Sequence, residues 1–278
     1  MGRCIVPDAE QILDREFPVL DKGFIRLVDY LGSDKRIAQA ARVSYGEGTK
    51  TIRQDRGLID YLLRNEHTSP FEQVIYTFHL KMPLFVARQW LRHRTARLNE
   101  ISGRYSIMPD EFYVPGMEDI AEQSPDNRQG RKTEAMPIER AESVREVIEG
   151  VQNHAYKGYQ ELLDSGTARE LARVVLPLSL YTEMYWQIDL HNLFHLLRLR
   201  LDTHAQKEIR AYAKVMRDLA TTVCPIAFES FNQHIEGSVR FSHDEMTALK
   251  KLLRDGNHGL EGKKAERLEM KIDENKQS

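Results

Sequence analysis

Apolar side chains at every second position from residue 74 to residue 82 constrain the fold more than any other feature of this sequence. Successive side chains of a strand point to opposite faces of the sheet, so this segment predicts a long strand with one apolar face. Residues 24–31 alternate less strictly and predict a second strand. A third strand is predicted with one face formed by Leu178, Leu180, Thr182, Met184, Trp186 and Ile188.

Apolar residues at helical spacing predict long helices between and after these strands. These helices cover residues 34–45, 53–65, 138–163 and 205–235, and Pro225 interrupts the last one. Two further helices are predicted, one from Leu84 to about Arg94 and one that begins at Leu190 with Asp189 as its cap. Long helices around a few long strands, without a regular βαβ alternation, predict an α+β fold with the helices packed on a mostly antiparallel sheet.

The remaining segments carry turn and loop signals. Residues 99–103 are predicted to form a loop, and residues 109–137 a long excursion with a short strand at 111–114. Thr-Ala-Arg-Glu at 167–170 matches a capping box that would open a new helix. We expect residues 1–235 to form one domain and residues 236–278 a hydrophilic extension, with a short helix near 244–253 and a charged tail.

Composition excludes several classes of function. The formal net charge of -2 argues against a protein that wraps around nucleic acid. The only two cysteines, Cys4 and Cys224, argue against a disulfide framework or a Cys-rich zinc site and suit a reducing cytosol. The sequence shows neither the apolar run of a signal peptide nor the roughly 20 apolar residues of a membrane helix. We therefore expect a cytoplasmic protein without a membrane partner.

The segment from residue 92 to residue 105 concentrates positive charge, with four arginines and one acid, Glu100. A solvated basic helix end would explain this spacing, because cations suit the C-terminus of a helix. Phosphate binding is the alternative, because planar guanidinium groups match phosphate oxygens. Ser102 and Gly103 would add a hydroxyl and a backbone that a phosphate can approach closely.

The same segment resembles the signature of the flavin-dependent thymidylate synthases, the ThyX family, which is Arg-His-Arg, seven residues, then Ser. Arg92, His93, Arg94 and Ser102 fill this pattern. Three further segments follow the family's order, at residues 69–72, 172–177 and 199–206. The resemblance extends over roughly residues 23–235.

This resemblance implies an enzyme that methylates dUMP to dTMP with FAD as cofactor, 5,10-methylenetetrahydrofolate as carbon donor and NADPH as reductant. It also implies a homotetramer with its sites at subunit interfaces. Because the flavin carries the redox chemistry, no cysteine nucleophile and no metal ion are implied. The protein then supplies position and electrostatics.

The resemblance also implies which residues bind. FAD contacts are implied at Ser69, Arg92, His93, Arg94, Glu100, Asp189, Leu190, His191 and His195. Nucleotide contacts are implied at Gln89, Trp90, Leu91, Arg92, Glu100, Ile101, Ser102, Gly103, Arg104, Arg173 and Arg200. Arg200 is the implied catalytic residue, since a fixed cation favours loss of the N3 proton of the pyrimidine.

The chain departs from the family's pattern at several of these positions. Ser69 stands where many relatives carry Thr, and Arg97 stands where many carry Ser. Asp189, His191 and His195 replace a set of Asn, Arg and Asn that is found in some members. The first change keeps a hydroxyl, and the second adds positive charge beside the signature.

Two other functions remain open from the residues alone. A metal-dependent nucleotide hydrolase could use His191, His195, Asp202 and His204, because two histidines four apart share one helix face. An RNA-binding protein could use the arginines of residues 92–104, although the chain lacks a basic net charge and an aromatic stacking motif. Cys224 lies in an apolar run and is predicted to be a buried, inert thiol.

Overall fold

An antiparallel sheet forms from the segments in which apolar and polar side chains alternate. The computed structural model describes residues 4–43, 52–125, 127–256 and 258–273. The five strands in these residues are β1 Phe17–Val19, β2 Gly23–Leu31, β3 Ile75–Pro83, β4 Arg97–Glu100 and β5 Tyr181–Asp189, and they pair in the order β1-β2-β3-β5-β4. Every neighbouring pair is antiparallel, which confirms the predicted sheet.

The chain divides into two units, Met1–Phe231 and Asn232–Ser278. The α-helices of the first unit are α1 Pro7–Glu10, α2 Asp34–Val43, α3 Ile52–Arg64, α4 Leu84–Trp90, α5 Ile138–Asp164, α6 Arg169–Ala172, α7 Leu190–Arg200, α8 Lys207–Val223 and α9 Pro225–Phe231. Long helices with one antiparallel sheet confirm the α+β class. The predicted break at Pro225 separates α8 from α9, whereas Tyr45, the predicted end of α2, lies outside the described residues.

The core lies on the face of the sheet that the alternation predicts. Phe78 of β3 is paired with Trp186 of β5, and Leu80 is paired with Met184, so the apolar faces of the two strands coincide. The α4 side chain Trp90 packs on this face, with its ring centroid 5.5 Å from that of Trp186. None of the described helices is long and apolar enough to cross a membrane.

The two central strands also position α4 and α7. Each helix follows its strand directly, and because β3 and β5 are antiparallel the two helices start at opposite ends of the sheet. The Asp189 carboxylate accepts a hydrogen bond from the Asn192 amide at 2.9 Å, which confirms the predicted cap of α7. Arg200, the last residue of α7, reaches the carbonyl oxygen of Gln89 near the end of α4.

The predicted end of α4 near Arg94 is wrong, because the helix ends at Trp90. The amides of Arg92 and His93 bond to carbonyl oxygens three residues back, at 3.3 and 3.0 Å, and so tighten the chain into a turn. The loop predicted at residues 99–103 begins too early, because residues 97–100 form β4 and pair with β5. The signature arginines Arg92 and Arg94 consequently lie on a turn between α4 and β4.

The predicted capping box at residues 167–170 is absent. The amides of Gly166 and Thr167 bond to the carbonyl oxygens of Leu163 and Leu162, both at 3.0 Å, which is the Schellman arrangement that closes α5. Thr167 therefore belongs to the end of α5, and Ala168 precedes α6 without a side-chain cap. The short strand predicted at 111–114 is reduced to a single bridge between Phe112 and Leu180.

The described residues of the second unit begin with a π-helix, Asn232–Glu236, and form two α-helices, α10 His243–Asp255 and α11 Lys263–Asp273. Helix α10 confirms the helix predicted near 244–253, and it opens with a capping box of Ser242 and Glu245. Helix α11 was not predicted, since its charge indicated a solvated tail. Lys271 stabilises it by donating to the Glu245 carboxylate and to the Arg240 carbonyl oxygen, both at 2.7 Å.

Candidate functional site

The ends of α4 and α7 and the turn after α4 enclose a cavity of about 650 Å³, a volume within the usual range for small-ligand sites. We call it the Arg200 cavity, and its lining residues are Arg88, Gln89, Arg92, His93, His195, Leu199 and Arg200. A second cavity of about 200 Å³, the Arg94 cavity, is lined by Arg92, His93, Arg94, Thr95, Ile188, Asn192 and His195. Arg92, His93 and His195 line both cavities, so the two are neighbours.

Two acceptors hold the guanidinium of Arg200. Its Nε donates to the Nε2 atom of His93 at 3.0 Å, and its Nη2 donates to the carbonyl oxygen of Gln89 at 3.3 Å. Carbonyls in the last turn of a helix lack intrahelical partners and carry partial negative charge, so they suit a cation. The end of α4 therefore fixes a cation that belongs to α7.

Positive charge dominates the electrostatics of the Arg200 cavity. Burial, then Arg200, then His195 lower the pKa of His93 from 6.5 to about 4. Burial and the neighbouring Arg92 likewise hold the pKa of Arg200 below its usual value. Among the described residues, no carboxylate lines either cavity. An anion bound here would relieve the repulsion among these cations.

A second set of predicted residues lies beyond the end of β4. We call Ser102, Gly103, Arg104 and Arg173 the Ser102 cluster. The Ser102 hydroxyl accepts from the Arg104 amide at 3.3 Å, and a Cβ atom on Gly103 would lie 3.1 Å from Cδ of Arg173. Arg104 also donates to Glu170 at 3.2 Å. No member of this cluster lines the Arg200 or Arg94 cavity.

Comparison with known proteins identifies the family. The chain matches the family described as Thymidylate synthase complementing protein over residues 26–226 and the Thymidylate synthase ThyX C-terminal domain over residues 239–278. A flavin-dependent thymidylate synthase of Treponema denticola is 62% identical over 265 residues, which cover 95% of this chain and 100% of that protein. The chain belongs to the flavin-dependent thymidylate synthase family.

Other members of the family and two solved structures agree. Flavin-dependent thymidylate synthases of Treponema pallidum and Thermus thermophilus are 56% and 54% identical, over 98% and 85% of this chain and 89% and 85% of theirs. The UMP/dUMP methylase PolB of Streptomyces cacaoi bound with 5-Br dUMP has a TM-score of 0.72 at 32% identity, over 79% of this chain and 98% of that one. Its complex with 5-Br UMP gives 0.70 at 32% identity, over 78% and 96%.

The other positions implied by the family resemblance differ in what they can offer a ligand. The side chains of Trp90 and Leu190 are fully buried, so only their main chains can reach a bound molecule. Both Asp189 oxygens accept from Asn192, and Glu100 accepts from the Thr182 hydroxyl at 2.6 Å. The remaining side chains have solvent access, and they are Ser69, Leu91, Ile101 and His191.

The sequence prediction missed several residues that line the two cavities, namely Arg88, Thr95, Ile188, Asn192 and Leu199. Arg88 precedes Arg92 by four residues, a spacing that brings side chains together on a helix and could have indicated it. Asn192 precedes His195 by three residues, which carries the same signal. Ile188 and Thr95 give no such signal, because only the strand pairing and the turn bring them to the cavity.

The hydrolase hypothesis is not supported by the arrangement of its residues. Asp202 and His204 bond to each other at 2.9 Å on the exposed loop after α7. Throughout the described part of the chain, no group of three or more His, Cys, Asp or Glu side chains is arranged to hold a metal ion. His191 and His195 therefore have no third ligand of these types beside them.

Proposed function

We propose that this chain methylates dUMP to dTMP reductively, with FAD as redox cofactor, 5,10-methylenetetrahydrofolate as carbon donor and NADPH as reductant. The observation that carries the proposal is the Arg200 cavity, where Arg88, Arg92 and Arg200 meet in a lining that holds no acid among the described residues. Guanidinium groups in this number suit phosphates. Because the chain belongs to the flavin-dependent thymidylate synthase family, the phosphate groups expected to bind here are those of a flavin dinucleotide and a uracil nucleotide.

The donor set fits FAD, because two adjoining cavities share the cation Arg92 and offer room for a diphosphate beside a second ligand. FAD supplies the electron transfer when it is bound, and the chain supplies binding and orientation. The residues proposed to hold it are Ser69, Arg92, His93, Arg94, Glu100, Asp189, Leu190, His191 and His195.

We propose that dUMP binds next to this position. Its proposed contacts are Gln89, Trp90, Leu91, Arg92, Glu100, Ile101, Ser102, Gly103, Arg104, Arg173 and Arg200. Trp90 would contribute through its main chain, since its side chain is buried in the core. Gly103 is buried against Arg173, where a Cβ atom would lie 3.1 Å from Cδ of that arginine, so the absence of a side chain lets the Arg173 cation pack against this segment.

Arg200 is the proposed catalytic residue. Its guanidinium is fixed by two hydrogen bonds and lies beside the cation Arg92 in a partly desolvated cavity. A cation held in this way stabilises the negative charge that develops when the pyrimidine loses its N3 proton. It acts without reorganisation, because its position is set before the nucleotide arrives.

We propose further that the enzyme is a homotetramer with its sites at subunit interfaces. The Ser102 cluster and the Arg200 cavity both carry proposed nucleotide contacts, yet they line no common cavity in the described part of the chain. Exposed apolar side chains beside the Ser102 cluster favour an interface there, and they are Tyr105, Ile107, Leu171 and Val174. A Ser102 cluster from one subunit would complete the Arg200 cavity of another.

The domain limits and the compartment are also proposals. We assign residues 1–235 to the catalytic domain and residues 236–278 to a C-terminal extension. We place the enzyme in the cytoplasm, because Cys4 and Cys224 are both free thiols and a reducing compartment keeps them so.

The proposal is tested with the purified full-length chain. It should be yellow, with the absorption spectrum of bound flavin, and should oxidise NADPH and form dTMP from dUMP and 5,10-methylenetetrahydrofolate. A chelator should leave this activity unchanged, in contrast to a metal-dependent hydrolase. A colourless chain that forms no dTMP after FAD is added would refute the proposed function.

A further inference from the structure

The hydrogen bond between Arg200 and His93 joins two segments that are 107 residues apart in sequence, at 3.0 Å. We infer that His93 is a positioning residue, whose neutral imidazole accepts the Nε–H of Arg200 and fixes the direction in which the guanidinium faces the nucleotide. This inference rests on the proposed function of Arg200. It assigns to His93 a task that is separate from its proposed contact with FAD.

The chemistry of the two side chains defines the protonation of His93. An arginine has five N–H donors and no acceptor, so Nε2 of His93 must present a lone pair to Arg200. The proton of the neutral ring must then lie on Nδ1. A ring that carried protons on both nitrogens could not accept this bond and would add a cation next to a cation.

The surroundings keep the ring neutral. Arg92 and Arg94 flank it on the turn, Arg88 shares its cavity from α4, and Arg200 and His195 face it from α7. All these groups are cationic or become so on protonation, and they oppose a second proton on His93. Burial acts in the same direction and is the largest cause of the lowered pKa, which is about 4. The acceptor is therefore present throughout the neutral range.

The two acceptors of Arg200 together set the plane of the guanidinium. Nε is bound to His93 and Nη2 to the carbonyl oxygen of Gln89, so rotation about the last side-chain bonds would break one or both hydrogen bonds. The backbone acceptor cannot be removed by substitution at Gln89, whereas the acceptor on His93 can. Loss of His93 should therefore leave Arg200 charged but poorly oriented.

The first test measures dUMP binding to the flavin-loaded full-length chain. His93→Ala should weaken the affinity about tenfold, which is typical for the loss of a hydrogen bond to a charged group. His93→Gln should recover most of this loss, because an amide oxygen can accept from Nε. In an Arg200→Ala background, His93→Ala should cause little further loss, since the pair acts as a unit. His154→Ala, which removes an exposed histidine of α5, serves as the control for loss of a histidine elsewhere.

Additive losses in the double variant would overturn the inference, because they would mean that His93 acts on the nucleotide independently of Arg200. Equal losses in His93→Gln and His93→Ala would overturn it as well. Flavin content is measured in every variant, so that a loss of FAD is separated from a loss of orientation.

The second test does not depend on the nucleotide. Nitrogen NMR of the chain labelled in histidine and arginine should show His93 protonated at Nδ1 and unprotonated at Nε2 down to about pH 5. The chemical shift of the Arg200 Nε–H should change in His93→Ala and should stay the same in His195→Ala. The His195 ring lies near the His93 ring but does not accept the hydrogen bond from Arg200. A proton on Nε2 at neutral pH would overturn the inference. A wild-type chain with the expected tautomer that bound no dUMP would refute the proposed function and not the hydrogen-bonded pair.

Discussion

Cys224 lies between α8 and α9 with no exposed surface. Desolvation raises the pKa of its thiol well above the usual value, so the nucleophilic thiolate is not formed at neutral pH. We predict that Cys224→Ala keeps full turnover and flavin content and costs about 1 kcal/mol of stability for the small cavity that it leaves. Initial rates of dTMP formation and thermal unfolding measure the two effects. A folded, flavin-loaded and inactive variant would indicate a thiol mechanism instead.

Replacing Arg92 and replacing Arg200 should impair different properties of the enzyme. Arg92 lines both cavities, so we expect Arg92→Ala to lose flavin or nucleotide, measured as flavin per chain and dUMP affinity. Arg200 lines only the larger cavity, so Arg200→Ala should keep flavin and lose about a hundredfold or more in turnover. Arg200→Lys is the matched control, because it keeps the charge and loses the planar fork. Full activity in both alanine variants would contradict the assignments.

At the scale of elements, a carboxylate joins α2 to α9. Asp34 is the first residue of α2, and its two carboxylate oxygens accept from the amides of Ile226 and Ala227 at 3.0 and 2.9 Å. The carboxylate therefore accepts hydrogen bonds from backbone amides at the start of α9 that have no partner within that helix. Asp34 and Ile226 are 192 residues apart, so no local sequence pattern could predict this contact. We expect Asp34→Ala to cost about 2 kcal/mol or more, measured by urea unfolding.

The same carboxyl predicts a pH dependence of stability. Burial raises the pKa of Asp34 from 3.8 to about 6, against the opposing effect of the two amides and Arg56. Because the folded state binds the proton more tightly, this contribution is fully present below pH 3.8 and is lost as pH rises through about 6. Asp34→Asn cannot titrate, so the wild-type free energy of unfolding should fall relative to this variant by about 3 kcal/mol over the whole titration, of which about 2 kcal/mol falls between pH 3.8 and pH 6. A constant difference from pH 4 to 7 would contradict the buried, protonated carboxyl.

Element boundaries show where sequence reasoning succeeds and where it stops. Alternation predicts β3 and β5 because nine-residue strands with one buried face leave a clear period in the sequence. The end of α4 escapes prediction because residues 91–94 carry no helix breaker, and the pairing of β4 with β5 decides where the chain must become extended. The role of Thr167 was mispredicted, because its amide closes α5 in a Schellman arrangement and Thr167 does not cap the next helix.

The candidate site shows the same division at the scale of the whole molecule. The resemblance of residues 92–102 to the family signature names Arg92, His93 and Arg94, and the structure brings them to the two cavities. The contact of His93 with Arg200 depends on how β3 and β5 orient the helices that follow them, and sequence separation hides it. The sequence likewise does not predict that the Ser102 cluster lies apart from the Arg200 cavity.

That separation leads to a prediction about assembly. If one subunit supplies Arg200 and another supplies Arg173, then Arg173→Ala and Arg200→Ala should each be inactive alone but partly active when they are co-expressed. Random mixing in equal amounts would give about a quarter of the sites both arginines, and so about a quarter of the wild-type activity. The control mixes the Arg173→Ala/Arg200→Ala double variant with Cys224→Ala. In this mixture only the Cys224→Ala subunits carry the two arginines, so both arginines of a site must come from that kind of subunit. Mixed oligomers confirmed by native mass spectrometry that remain inactive would show that each site is built within a single subunit.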